Sequence, residues 1–432
     1  MKMKQLKEFL NQAHSTYHAV ALLQEKLAQA GYVALPETQQ WNIAAGGKYY
    51  VVRGGSAIIA FRVPQTTPTG FIMSASHSDR PTFKIKENWE LSGKYTQVAT
   101  EKYGGMLIAP WLDRPLSIAG RVLVETEKGI QSRLLDIDRD LLLIPNVAVH
   151  MNRKANEGYE WNPAVDTLPL AGSADAKGKL QTLLEQAAGG KVLGHDLYLY
   201  IRQQASIWGV EEEYISSAAL DDLLCAWCCT NGFIQAEEND AVNVLCVFDC
   251  EEVGSSSVQG ADSTFLEDVV HRICVGLNLP KEQLLRQSFM VSADNAHAIH
   301  PNHPEHADAN NAPVLGQGVV LKFNAAQRYT TDGVSGAIFR KICENADVPV
   351  QTYYNRADKP GGSTLGYISL AHISVPTADV GIAQLAMHSC YETAGVKDVD
   401  YMLRAMESCY STTLCSDGKE NWQLKTNYRQ NA

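Results

Sequence analysis

The segment AVNVLCVFD, residues 241–249, is apolar almost from end to end. A strand wetted on one face alternates apolar and polar residues; one that does not alternate must be covered on both faces. The same texture returns in SFMVSAD (288–294), VVLKF (319–323), VPVQTYY (348–354) and ISVPTADV (373–380). Helical segments stand between these runs. AALDDLLCAWCCTNGF (218–233) reads as a helix with Ser216 or Ser217 as N-cap and a stop at Asn231-Gly232. STFLEDVVHRICVGL (263–277) is a second helix, and DVDYMLRAMESCYSTTL (398–414) a third, with Val399, Met402, Leu403 and Met406 on one face. Strand and helix in alternation predict an α/β fold whose sheet is sandwiched by helices.

The remainder of the chain is arranged around that core. The first ~35 residues have helical spacing, from Leu6 and Phe9 to Leu27, and close at Gly31. KYYVVRGGSAIIAFRV (48–63) predicts a hairpin around Gly54-Gly55, and GFIMSAS (70–76) a strand running into His77. Residues 86–215 change character, with strand-like runs in GRVLVETEKGIQSRLL and DLYLYIR and a polar, glycine-rich stretch near 152–176. At 432 residues the chain is long for one core. The division expected is a discontinuous domain, 1–85 with 216–432, and an inserted β-rich domain, 86–215. The tail from Ser416 is polar and is expected to fray.

Composition narrows the partners. A net charge of −11 without a basic stripe argues against nucleic acid, and any acidic ligand would need a local cation. The N-terminal MKMKQLKEFLNQAH has no apolar core or cleavage site of a secretory signal, and no apolar run is long enough for a membrane span. Most of the ten cysteines lie inside apolar segments, as buried free thiols do in a reducing cytoplasm. The C-x-x-C of Cys225 and Cys228 has no second pair and reads as core packing.

The chemistry gathers where strands end, which is where open α/β sheets form their sites. His77 and Asp79 follow GFIMSAS, Glu251 and Glu252 follow AVNVLCVFD, and Asp294, His297 and His300 follow SFMVSA. Asp221 stands at a helix start, and His388 lies in AMHSC. Two adjacent carboxylates beside a buried strand repel unless water or a cation screens them. With i and i+2 on one face of an extended chain, Asp79 is placed to orient the His77 ring. Lys322 lies inside an apolar strand, where it needs an anion or water. His297, His300, His303 and His306 recur every third residue, but Pro301 and Pro304 exclude a regular helix that would stack them. Of these, His297 is assigned to the site, with His303 and His306 solvated.

The ordered set H-x-D, L-D-D, E-E, S-A-D, M-H-S resembles the co-catalytic zinc aminopeptidases. The stretches SASHSDRPTFKIK, IPNVAVHMNR, ISSAALDDLLC, FDCEEVGSSSVQGA, SADNAHAIHPN, LKFNAAQRY, PGGSTLG and QLAMHS are similar to their aspartyl aminopeptidase branch. The resemblance implies a mixed sheet between helices with an inserted dimerisation domain. It implies two divalent metals, Zn2+ first with Co2+ or Mn2+ possible: His77 and Asp294 on one, Glu252 and His388 on the other, Asp221 bridging. Glu251 would be the general base. His297, Lys322, Tyr329 and the Gly362-Ser363 loop would meet the substrate, and His150 would reach a neighbouring subunit's site. The implied reaction is removal of an N-terminal residue, preferably Asp or Glu, from peptides, by a cytoplasmic homo-oligomer resembling a tetrahedral dodecamer built from dimers. Broad or neutral specificity is the alternative. A scaffold on a retired peptidase fold would need lost ligands, and none is lost. The chain departs from the branch at His-Ser-Asp-Arg-Pro and at Ala-Leu-Asp-Asp, which leaves the ligand positions intact but adds Asp222. No G-x-S-x-G elbow occurs, and GQG (316–318) lacks the rest of a dinucleotide fingerprint.

Overall fold

The computed structural model describes residues 2–359, 361–362 and 364–429. Its main element is a nine-stranded mixed sheet. Across it run Val33–Ala34, Lys48–Arg53, Ala57–Arg62, Val242–Phe248, Phe71–His77, Phe289–Ala293, Thr377–Gly381, Val319–Phe323 and Val350–Tyr354. The central strands, from Val242–Phe248 to Thr377–Gly381, are parallel, so their carboxyl ends share one edge. Antiparallel neighbours, Ala57–Arg62 and Val319–Phe323, flank them.

The apolar runs resolve into period-two alternation between two cores. Leu245 and Val247 point into the layer formed by helices Thr16–Gln29, Leu220–Gln235, Gly333–Asn345 and Val396–Tyr410. Val244, Cys246 and Phe248 point into the opposite layer, with helix Phe265–Leu277. Neither face meets water, which is why the sequence carries no polar stripe there.

Helix Leu220–Gln235 is buried along nearly its whole length, between the sheet and helix Val396–Tyr410. Its Cys225, Cys228 and Cys229 are packed as free thiols, as are the other cysteines of the chain apart from the half-buried Cys250 and the exposed Cys415. The helix does not stop at Gly232. A Cβ there would come within 2.8 Å of the Glu407 backbone nitrogen and of the Met406 Cβ, so glycine serves close helix approach rather than termination.

Other expectations need correction. Ser216 and Ser217 belong to strand Tyr214–Ser217, and Ala219, in left-handed backbone at φ 55°, takes the N-cap position. Tertiary pairing with Glu392–Gly395 recruits the two serines instead. The N-terminal segment is two helices, Lys2–Leu10 and Thr16–Gln29; Ser15 caps the second, its hydroxyl accepting from the His18 amide. The tail does not fray up to Thr426: Thr412–Ser416 pairs with Trp422–Thr426.

Two further sheets complete the fold. Thr82–Ser92, Tyr95–Tyr103, Leu116–Thr126, Gly129–Asp136, Leu170–Ser173 and Val192–Ile201 form a six-stranded sheet with its own apolar core around Phe83, Trp111, Ile118 and Leu197. A five-stranded sheet joins Ser206–Trp208, Tyr214–Ser217, Glu392–Gly395, Ala383–Leu385 and Ala296–His297. It bundles the segments flanking Asp221, Asp294 and His388. Among the described residues no helix is long and apolar enough to cross a membrane.

Gly232→Ala should destabilise the protein by about 1–3 kcal/mol through overpacking against helix Val396–Tyr410. Chemical denaturation measures the shift; an unchanged midpoint would show that the two helices do not hold this spacing.

Candidate active site

The carboxyl edge of the parallel strands delivers side chains into one recess of about 180 Å³, lined by His77, Asp221, Glu251, Asp294, His297, Lys322, Tyr329, Gly362 and His388. Hollows of about 420 and 450 Å³ lie elsewhere and collect no comparable set of buried carboxylates and imidazoles.

His77 is the last residue of its strand and is 1% exposed. Asp79 therefore lies past the strand, yet it meets the ring: His77 Nδ1 is 3.2 Å from Asp79 Oδ1 and 3.2 Å from its carbonyl oxygen. The other ring nitrogen, Nε2, faces Asp221 Oδ1 at 3.5 Å. Asp221 Oδ2 lies 3.7 Å from His388 Nε2, which in turn is 3.4 Å from Glu252 Oε2. The two oxygens of Asp221 are thus shared between two imidazoles. Asp294, at the end of Phe289–Ala293, brings a carboxylate oxygen within 4.8 Å of ligand atoms of Asp221 and Asp222.

The backbone around these residues is held in unusual conformations. Ala219, Cys250 and His388 have φ of 55°, 63° and 64°, the left-handed region that side chains other than glycine rarely occupy. Asp221 and Asp222 have non-helical dihedrals, so Asp221 precedes the regular helix rather than standing in its first turn. Hydrogen bonds fix these bends. Glu392, 1% exposed, accepts from the Asp221 amide at 3.0 Å and from the His388 amide at 2.7 Å. Asp79 accepts from the Glu251 amide at 3.1 Å, the Glu252 amide at 3.2 Å and the Tyr103 hydroxyl at 2.7 Å. Asp249 accepts from the Cys250 amide at 2.8 Å and from Thr16 Oγ1 at 3.1 Å beneath the same turn.

Glu392, Tyr103 and Asp249 were not singled out from the sequence. Asp249 sits in VFDCEE and Glu392 four residues beyond His388, so proximity to candidate residues was the available signal; Tyr103 had none.

Buried acids dominate the electrostatics of the recess. Burial raises the pKa of Glu251 to about 8 and that of Asp294 to about 6, with neighbouring carboxylates adding to both. Burial pushes Glu252, Asp222 and Glu392 well above the carboxylate range, again reinforced by neighbouring acids. Burial opposes the charge on His77, but the nearby carboxylates of Asp221 and Asp79 prevail and raise its pKa. Asp221 Oδ1, Glu252 Oε1 and Asp222 Oδ1 are buried without a hydrogen-bond partner. Unpaired oxygens in a cluster of buried acids and imidazoles are a donor set suited to divalent cations of the zinc type.

Lys322 is 2% exposed and donates to the carbonyls of Asp294, at 2.8 Å, and Asn295, at 3.3 Å. Its ammonium also lies 3.8 Å from Asp294 Oδ2 and 5.2 Å from the Tyr329 ring centre. His297 opens onto the recess, 6.2 Å from Tyr353 between ring centres, and partial desolvation lowers its pKa. Gly362 is exposed at the rim; Ser363 lies outside the described residues. His150 is exposed on a loop and does not line this recess in its own chain.

The family model for aminopeptidase I zinc metalloprotease (M18) matches residues 9–410. A probable M18 family aminopeptidase 2 of Clostridium novyi is 40% identical over 419 residues, covering 93% of this chain and 97% of that protein. The structure of the Ape4 and Nbr1 complex has a TM-score of 0.91 and 36% identity, covering 94% of this chain and 84% of that one. The S. cerevesiae mApe1 dodecamer has a TM-score of 0.82 and 27% identity, covering 94% and 95%. With such a match along nearly its whole length, the chain belongs to the M18 family of aminopeptidase I zinc metalloproteases and is a metallo-aminopeptidase.

Proposed function

We propose that the chain removes a single N-terminal residue, preferably Asp or Glu, from peptides, using two divalent metal ions and Glu251 as general base. The observation that carries this is the division of the Asp221 carboxylate between His77 Nε2, at 3.5 Å, and His388 Nε2, at 3.7 Å. A carboxylate so placed suits two cation positions side by side. His77 and Asp294 would complete one, Glu252 and His388 the other, with Zn2+ favoured by the mixed imidazole and carboxylate donors and Co2+ or Mn2+ as substitutes. When bound, the ions supply Lewis acidity to the scissile carbonyl and to a water.

The chain's own groups do the rest. Glu251 lines the recess while its amide is tied to Asp79, so its carboxylate is held where it can take a proton from the attacking water and return it to the leaving amine. His297 and Tyr329 stand at the wall as donors for the developing oxyanion. Two of the three Lys322 N–H groups serve carbonyls, leaving one for a substrate carboxylate. That same engagement favours a second reading: if Lys322 serves only to hold Asp294, specificity is broad or neutral. Gly362 leaves the rim open, and His150, exposed in its own chain, is assigned to a neighbour's site.

The catalytic domain is taken as 1–85 with 216–432, and 86–215 as the assembly domain. Similarity to the S. cerevesiae mApe1 dodecamer supports a closed, dodecameric homo-oligomer built from dimers. Cysteines left as free thiols fit a cytoplasmic setting.

Glu251→Gln should lower turnover by roughly 10²–10⁴-fold while metal content is unchanged. Retained turnover, or a metal-free variant, contradicts the role. Asp79→Asn should weaken metal retention about 10–100-fold, because one of the two oxygens that serve the His77 ring and the Glu252 amide becomes an NH2 that cannot accept; equilibrium dialysis against a chelator reads this, and wild-type retention would remove Asp79 from the scaffold. In Lys322→Ala the ratio of Asp-amide to Leu-amide hydrolysis should fall. An unchanged ratio in a stable, metal-loaded variant would leave the broad-specificity reading in possession.

A further inference from the structure

A second grouping of metal-binding side chains lies beside the recess, on the loop HPNHPEH, residues 300–306. His303, Glu305 and His306 each offer a ligand atom, and these lie within 4.8 Å of one another. The prolines, which prevent a long helix, leave a single 3₁₀ turn, Pro304–His306, whose closing bond runs from the Ala307 amide to the Pro304 carbonyl at 3.1 Å. That turn puts the His303 and His306 rings side by side, 5.6 Å apart and 35° from parallel.

The turn is also braced from outside. The Arg356 guanidinium donates to the Glu305 carbonyl and pairs with Asp358 at 2.8 Å. Glu305 Oε1 meets His303 Nδ1 at 2.9 Å. An ion bound here displaces the proton that His303 Nδ1 shares with Glu305, so that Nδ1 and the carboxylate become ligands side by side. His300 is different: its Nδ1 accepts from the Asn302 amide at 3.2 Å, which puts the proton on Nε2 and removes it from the ligand set.

We propose that His303, Glu305 and His306 form an outer binding site for a borderline divalent cation, Zn2+, Ni2+ or Cu2+, separate from the recess. Two imidazoles and a carboxylate select this class of ion over Mg2+ or Ca2+. The three residues are exposed, so water would fill the remaining coordination positions and the ion would exchange readily. The loop borders a hollow of about 310 Å³ that shares His297, Tyr353 and Met387 with the active-site recess. The outer ion would therefore add positive charge at the mouth through which peptides pass.

Zinc uptake by the assembled, metal-loaded protein, measured by equilibrium dialysis, tests this. Wild type should bind one more Zn2+ per chain than His303→Asn/His306→Asn, whatever number the recess holds. Glu305→Gln should weaken that extra equivalent about 10–100-fold, and His271→Asn, on an exposed helix position away from the loop, should leave it intact. Basal turnover should be the same in all of these variants. Cu2+ electron paramagnetic resonance should show nitrogen couplings in wild type that vanish in the double variant. Equal zinc uptake by wild type and double variant, or unchanged nitrogen couplings, overturns the proposal.

Discussion

Asp79 holds three parts of the molecule to one another. Its carboxylate accepts the amides of Glu251 and Glu252, accepts the Tyr103 hydroxyl, and faces the His77 ring. These partners come from the end of one central strand, the turn after its neighbour, and a strand of the six-stranded sheet. A carboxylate this deeply buried is tolerable only when its lone pairs are used. With them used, the Glu-Glu turn cannot rotate away from His77. The position of both glutamates therefore depends on a residue that does not itself line the recess.

Glu392 performs the matching task on the other side. It binds the amides of Asp221 and His388, residues far apart in sequence, and so sets the distance between the two. The five-stranded sheet brings this about, since Glu392 begins the strand that pairs with Tyr214–Ser217 just before Asp221. Hydrogen bonds from backbone amides to buried acids thus fix residues whose own backbone lies in sparsely populated regions. The strain at Ala219, Cys250 and His388 is sustained because the cores on both faces of the large sheet are rigidly packed beneath.

Electrostatic cost runs through the same design. Acids raised in pKa by burial and mutual repulsion are costly as neighbours and become favourable around cations. Lys322 is part of this balance: it places a positive charge against Asp294 while its hydrogen bonds hold the carbonyls that follow Phe289–Ala293. Its role in shaping the loop and its presence on the recess wall are two consequences of one buried ammonium.

Much of this was legible in the residues themselves. Runs without polar alternation required a doubly covered sheet, and the order of acids and histidines at strand ends marked one edge of it, because both signals are local in sequence. What the residues did not disclose is non-local. Ser216 and Ser217 look like helix caps until Glu392–Gly395 pairs with them. Gly232 looks like a stop until helix Val396–Tyr410 is laid against it. The polar tail looks loose until its hairpin closes. Tyr103 and Glu392 carry no motif, and only the packed chain sets their polar atoms opposite Asp79 and the Asp221 amide. By itself the sequence determined the class of fold and which side chains could meet at a strand edge, since periodicity and residue chemistry are properties of short segments. Tertiary structure alone decided which buried acids hold the backbone and which are left unpaired, since a hydrogen bond between distant residues exists only once both have been brought to the same place.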